Sequence, residues 1–274
     1  VNAQHTIARP VRVEGVGLRG GARVAAELRP APAGAGRRFW VGGVEVPATI
    51  DRVVDTVLAT SLGAGPARVA LVEHLCAALH SMGVDNVDID VDGEELPALD
   101  GSARGWCEAL VEAGLQSQSA PRVAIVVAAP VEVRAGSAWA RAEPGEGLEI
   151  DVQVDFAHPA IGAQRWTGKV DAATFRAEIA WARTFGFLRD AEQLWARGIA
   201  KGASLENTLV FDDARLLNPE GLRAADEVVR HKALDLIGDL ALLGASLEGR
   251  VTTCRAGHAL HVSLLRELLA RATR

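Results

Sequence analysis

The stretch Arg230-His231-Lys232-Ala233-Leu234-Asp235-Leu236-Ile237-Gly238-Asp239 sets polar and charged side chains into an otherwise apolar helical pattern. On a helix, residues four apart project from one face, so His231 and Asp235 can grip a single metal ion, and Asp239 continues the stripe. Imidazole and carboxylate are both zinc ligands, and a catalytic zinc takes three protein ligands and keeps a fourth position for water. An isolated His-x-x-x-Asp is more commonly an ordinary intrahelical pair on a buried helix, so the metal reading needs a third ligand from elsewhere. The strongest candidate is His74, in Val72-Glu73-His74-Leu75. Neighbouring side chains diverge by about 100° around a helix. At a helix end beside a cleft, His74 can therefore hold the ion while Glu73 takes a proton from the attacking water, as a metal hydrolase requires. Hydrolysis of an amide also needs a donor for the oxyanion and an acid for the leaving nitrogen. Thr184, in Ala182-Arg183-Thr184-Phe185-Gly186-Phe187, offers a hydroxyl, and His258, after the permissive Gly257, offers an imidazole that Asp239 can orient or keep protonated. Taken singly, a threonine beside aromatics is usually packing, and a Gly-His before a helix is usually a turn and cap.

Those residues need a scaffold, and the pattern around them alternates sheet with helix. His5 to about Leu58 reads as short strands with glycine turns, and Arg68 to Met82 as a helix with an apolar stripe. Asn86 to Val91 returns to strand alternation, and Ser102 to Ala113 is a second helix closed by Gly114. The polar run Gln116 to Pro121 reads as a linker, dividing the chain into domains 1–120 and 121–274. The second half repeats the order: strands at Val123 to Val127, Val131 to Arg134, Ala138 to Ala142 and Leu148 to Phe156, then a helix at Ala172 to Ala180. A long helix Asp226 to Leu243, a strand Leu247 to Cys254 and a helix His258 to Ala270 complete it. The expected class is α+β, two similar domains each with a sheet packed on helices.

With 274 residues, 49% of them hydrophobic and 23% charged, the chain can bury a substantial core and is not a disordered polymer. A formal charge of −6 argues against a nucleic-acid partner. Cys76, Cys107 and Cys254 are odd in number and widely spaced, so neither a disulfide framework nor a zinc finger is indicated, and a reducing compartment is the simple inference. Cys76 and Cys107 sit in apolar helical patterns and read as buried structural thiols. The most apolar run, Val123 to Ala129, stops at Pro130 after too few residues to span a bilayer, so a cytoplasmic protein without a transmembrane segment is expected. Since position 1 is Val, a removed leader stays open.

In chain order, the motifs Gly15-Val16-Gly17-Leu18, Asp51-Arg52-Val53-Val54-Asp55-Thr56, Val72-Glu73-His74-Leu75, Leu99-Asp100-Gly101-Ser102-Ala103, Phe156-Ala157-His158-Pro159-Ala160-Ile161, Ala182-Arg183-Thr184-Phe185-Gly186-Phe187, His231-Lys232-Ala233-Leu234-Asp235 and Gly257-His258-Ala259-Leu260 form a set. Each is weak alone; together the chain resembles the zinc-dependent UDP-3-O-acyl-N-acetylglucosamine deacetylases of lipid A biosynthesis, from about His5-Thr6 to the final helix. The resemblance implies Zn2+ held by His74, His231 and Asp235 between two sandwiched domains, with Glu73 as general base, His258 as general acid and Thr184 as oxyanion donor. It further implies Lys232 on the substrate's polar groups, Phe185 on the sugar, Phe156 on the uracil, and a segment Gly186 to Val210 lining a passage for the acyl chain. The substrate would be an acylated UDP-amino sugar, and a monomer is expected. Departures fall on substrate contacts: Arg19 stands where the family usually has His, Ala138 where a basic residue is frequent, Lys201-Gly202-Ala203-Ser204 where the stretch is more apolar, and His261-Val262 where two asparagines are usual. These changes keep open a related zinc amidohydrolase of another N-acetylated sugar or sugar nucleotide. A non-catalytic sugar-nucleotide-binding regulator is the remaining alternative, although a binder has no use for a general base beside a metal site.

Overall fold

The computed structural model describes residues 3–272. The first half runs β1 (Ala3–Ile7), β2 (Val11–Val16), β3 (Arg23–Pro30), β4 (Arg37–Val41), β5 (Val44–Pro47), β6 (Val53–Asp55), β7 (Ser61–Ala64), β8 (Ala67–Val69), α1 (Glu73–Ser81), β9 (Val87–Val91) and α2 (Arg104–Ala113). The second runs β10 (Leu115–Pro121), β11 (Ala124–Val126), β12 (Val131–Ala135), β13 (Ala138–Glu143), β14 (Leu148–Phe156), β15 (Gly162–Lys169), α3 (Ala172–Thr174), β16 (Phe185–Phe187), α4 (Leu188–Ala196), β17 (Leu209–Phe211), α5 (Glu227–Leu240), β18 (Ser246–Cys254) and α6 (His258–Ala272). A five-stranded sheet, β2-β3-β9-β4-β5, serves the first half, and a six-stranded sheet, β12-β13-β18-β14-β15 with β11 alongside β18, serves the second. Each sheet contains one parallel pair within its main path, β4 with β9 and β14 with β18. The class is α+β, as expected from the sequence.

The two layers of helix meet at α1 and α5. Of α1, all but His80 is buried, and of α5 only Arg230 and Lys232 are not. Their apolar side chains join one core cluster that includes Leu75, Leu79 and Trp106 from the first half and Ile150, Phe175, Leu236 and Leu264 from the second. The crossing is close because Gly238 has no side chain: a Cβ there would lie 2.1 Å from the carbonyl oxygen of Glu73. Glycine costs a helix about 1 kcal/mol relative to alanine, and here the cost permits the approach.

Several local expectations change. The stripe from Arg68 to Met82 is not one helix: Ala67–Val69 pairs with β7, Leu62 opposite Val69, and the helix begins at Glu73. Between them Leu71 turns the chain at φ 61, so the first apolar residues of the period fill a hairpin instead. The polar run Gln116 to Pro121 is not a loop but lies in β10, antiparallel to β1. Gln118 serves as a tie, donating to the carbonyl of Ala31 at 2.8 Å and accepting from Asn86 at 2.7 Å. The helix at Ala172 widens after Thr174 into a π-helical turn, Phe175–Ile179, that buries Phe175 and Ile179. The long helix ends at Leu240 and tightens into a 3-10 turn, Ala241–Leu243, before Gly244 at φ 70, a left-handed terminus suited to glycine. Cys76 and Cys107 are buried free thiols, each pushed up to about 12 by that burial. Among the described residues, no helix is long and apolar enough to cross a membrane.

Candidate active site

Glu73 and His74 open α1, directly after the left-handed turn at Leu71, while α5 presents His231, Asp235 and Asp239 from one face. His231 Nε2 lies 3.3 Å from Asp235 Oδ1, and His74 Nε2 lies 3.9 Å from the same oxygen. His231 Nδ1 is 3.0 Å from the carbonyl oxygen of Ala182. A carbonyl only accepts, so Nδ1 carries the hydrogen and Nε2 presents a bare lone pair. Burial holds both imidazoles neutral, with His231 below its ordinary value and His74 brought down to about 3, further opposed by the neighbouring His231 and favoured by Asp235. Burial would also protonate Asp235, but Lys232, donating to Oδ2 at 2.6 Å, and the charged His258 hold it well below the usual carboxylate range. Oδ1 is left facing the imidazoles.

The bare Nε2 of His231 and the ionised Oδ1 of Asp235 thus face each other with no hydrogen between them and His74 Nε2 alongside, an arrangement that a cation stabilises. The spacing suits one: ligands about 2.0–2.1 Å from a tetrahedral zinc stand roughly 3.4 Å apart. His74 Nδ1, buried without a partner, is the one loose end of this set.

Beside it stands a buried carboxyl and imidazole pair. Glu73 is 2% exposed, and its Oε2 accepts from the backbone N–H of Thr60 at 3.0 Å. Burial pushes its carboxyl up to about 7, the charges of Asp235 and Asp239 adding to the shift and His258 opposing it. His258, first residue of α6, places Nε2 4.0 Å from Glu73 Oε1 and donates through Nδ1 to Asp239 Oδ2 at 2.7 Å. Burial alone would discharge this imidazole, yet Asp239 outweighs it and raises it to about 9. Thr60 Oγ1 donates to the other oxygen of Asp239 at 2.7 Å.

A cavity of about 450 Å³ opens onto this group, and Glu73, His74, Thr184, Phe185, His231, Lys232, Asp235 and His258 all line it. Thr184 is fixed by its backbone, which donates to the carbonyl of Gly101 at 2.8 Å. At Gly101, φ is +81° and a Cβ would lie 1.9 Å from the oxygen of Asn207, so no other residue fits. Phe156 stands behind Phe185, ring edge to face at 5.5 Å, in a small apolar cluster with Ile161, Leu209 and Phe211. Arg19 is one cavity away, in a cleft of about 720 Å³, with its guanidinium 3.1 Å from Asp55. Between the two, a narrow apolar cleft formed by Leu18, Leu58, Leu71, Ile199 and Ala200 shares its first three residues with the cavity at Glu73. Of the segment Gly186 to Val210, it is therefore Ile199 and Ala200 that meet this cleft, while α4 has no buried residue.

Sequence reasoning misses three supports. Thr60 carries no spacing signal, because its partners are 13 and 179 residues away. Gly238 is visible only as a glycine inside a helix. Arg183 is in a recognised motif, but its role emerges from its buried pairing with Glu227 at 2.9 Å, which anchors the turn whose Ala182 carbonyl orients His231. His261, noted above as a departure, is buried with Nδ1 2.8 Å from Asp239 Oδ2.

Residues 4–270 match the family described as UDP-3-O-acyl N-acetylglycosamine deacetylase. A protein named UDP-3-O-acyl-N-acetylglucosamine deacetylase from Anaeromyxobacter dehalogenans (strain 2CP-C) is 48% identical over 97% of this chain and 87% of its own length. The protein of the same name from Brucella melitensis biotype 1 (strain ATCC 23456 / CCUG 17765 / NCTC 10094 / 16M) is 43% identical over 98% of this chain and 96% of its own length. Motifs that are individually weak, a converging donor set beside a buried carboxyl and imidazole, and similarity along nearly the whole chain have one common explanation: the chain belongs to the UDP-3-O-acyl N-acetylglycosamine deacetylase family.

Proposed function

We propose that the protein hydrolyses the acetamide of UDP-3-O-acyl-N-acetylglucosamine, an early step of lipid A biosynthesis, with zinc held by His74, His231 and Asp235. The observation that carries the reading is the juxtaposition of three converging lone-pair donors with the buried pair Glu73 and His258. Bound by these three residues, the ion would supply Lewis acidity, which lowers the pKa of water and polarises a carbonyl. Glu73, as carboxylate, accepts the proton of the attacking water, and the Thr184 hydroxyl donates to the oxyanion as the carbonyl carbon becomes tetrahedral. His258 gives its Nε2 proton to the amine nitrogen as the C–N bond breaks, releasing acetate and the free amino sugar. Asp239 steadies the imidazolium throughout.

Lys232, already bonded to Asp235, directs its remaining N–H groups to the substrate's polar atoms, and Phe185 packs on the sugar. Phe156, edge-on behind it, is assigned to the uracil, and Arg19 to a part of the substrate beyond the reaction cavity. The acyl chain follows Leu18, Leu58 and Leu71 toward Ile199. The reading includes domains 1–120 and 121–274 with the site between α1 and α5, and a cytoplasmic monomer. The test is deacetylation of the UDP-linked acylated sugar beside its unacylated analogue, with zinc measured in the same preparation. Rapid acetate release from the acylated sugar with about one zinc per chain is expected; preference for the unacylated analogue would give the enzyme a different substrate.

A further inference from the structure

His261 has no part in the reaction as described, yet it is 1% exposed and shares one carboxylate oxygen with the proposed acid. His258 and His261 are three residues apart in the first turn of α6, so their imidazoles leave the same face of the helix. Both Nδ1 atoms approach Asp239 Oδ2, at 2.7 and 2.8 Å, with the rings nearly perpendicular at 83°. Asp239 is wholly buried and ionised, so it can only accept, and both Nδ1 atoms must therefore donate. Thr60 supplies the third donor, on Oδ1.

A buried carboxylate held by one donor on each oxygen can still rock about its terminal torsion, which is broad and soft. A second donor on Oδ2 that comes from the same helical turn as the first removes that freedom. The direction of the His258 hydrogen bond is then set, and with it the direction of His258 Nε2, which lies 4.0 Å from Glu73 Oε1 at the cavity. We infer that His261 is a positioning residue for His258, acting through the shared Asp239 carboxylate and touching no substrate itself. This rests on the reading of His258 as the proton donor to the leaving amine.

The experiment is a double-mutant cycle on the zinc-loaded full chain, measuring kcat and KM for the acylated UDP-sugar together with the unfolding midpoint. His261→Leu removes the donor at similar volume, and His261→Asn retains an N–H near the position of Nδ1. His261→Ala substitutes for the leucine variant if that variant does not fold. The expected result is a fall in kcat of about tenfold in His261→Leu, the scale of one lost hydrogen bond to a charged group, with KM within about twofold. His261→Asn should recover most of that loss. In a His258→Gln background, His261→Leu should change kcat by less than about twofold, because the group it positions is gone. Equal losses in both backgrounds, or undiminished kcat in His261→Leu beside a crippled His258→Gln, overturns the positioning role and leaves the acid assignment standing. A His258→Gln enzyme with normal kcat overturns both.

Discussion

Replacing Gly238 by alanine sets two effects of opposite sign against each other. Alanine is the better helix former by about 1 kcal/mol, so propensity alone makes Gly238→Ala stabilising. The new Cβ, however, would sit 2.1 Å from Glu73 O and 2.7 Å from Glu73 C, both backbone atoms that no side-chain rotation can clear. Reaching an ordinary contact near 3.4 Å requires α1 and α5 to part locally by about 1.3 Å. Overpacking of this kind typically costs about 1–3 kcal/mol, and contact with backbone places this site at the upper end. The net expectation is destabilisation by about 1–2 kcal/mol, a fall in unfolding midpoint of several degrees. The catalytic effect should be larger than the thermal one. The atom struck belongs to Glu73, the residue before His74, while Gly238 precedes Asp239 and follows Asp235 by three residues, so separation of the helices moves both halves of the site apart. A misplacement of about 1 Å can cost about a hundredfold in rate. Thermal unfolding, zinc content and kcat on purified enzyme test this together. An alanine variant that melts no lower than the parent and retains full kcat would show that close approach of α1 and α5 is not what assembles the site.

Glu73→Gln should bind zinc as the parent does but lose about two to four orders of magnitude in kcat, since a general base acts in the transition state and does not hold the ion; zinc analysis beside steady-state rates checks both halves. His74→Ala with His231→Ala should abolish both zinc retention and activity, and stoichiometric zinc surviving in that double variant would refute the ligand assignment. The pH dependence of kcat/KM should be bell-shaped: activity rises as pH passes through about 7, where Glu73 becomes the carboxylate a base must be, and falls through about 9, where the His258 imidazolium is lost. In His258→Gln the basic limb should vanish or move, and an unchanged limb in an active variant would assign it to another group.

Chemistry concentrated within a few consecutive residues was legible in the chain itself. His231 and Asp235 share a face because a helix repeats every 3.6 residues, and that relation holds whatever the helix packs against. The same local logic located α5, β14 and β18, and the terminus at Gly114. His74 and His258 could be nominated by residue type, and the ordered motifs tied them to a family, but no spacing rule links residues 74, 231 and 258.

Tertiary structure decided the remainder. The apolar stripe beginning at Arg68 could belong to a strand or a helix, and only pairing of Val69 with Leu62 and the turn at Leu71 settled that Glu73 starts α1. The polar segment Gln116 to Pro121 became a strand because β1 was there to pair with it, a partner more than a hundred residues away. Thr60 and His261 gained roles only when folding placed them against the two oxygens of Asp239. The physical reason is the same in each case: local periodicity constrains which side chains share a face, whereas burial, charge compensation and the fit of a missing Cβ against a carbonyl depend on what the rest of the chain brings to that face.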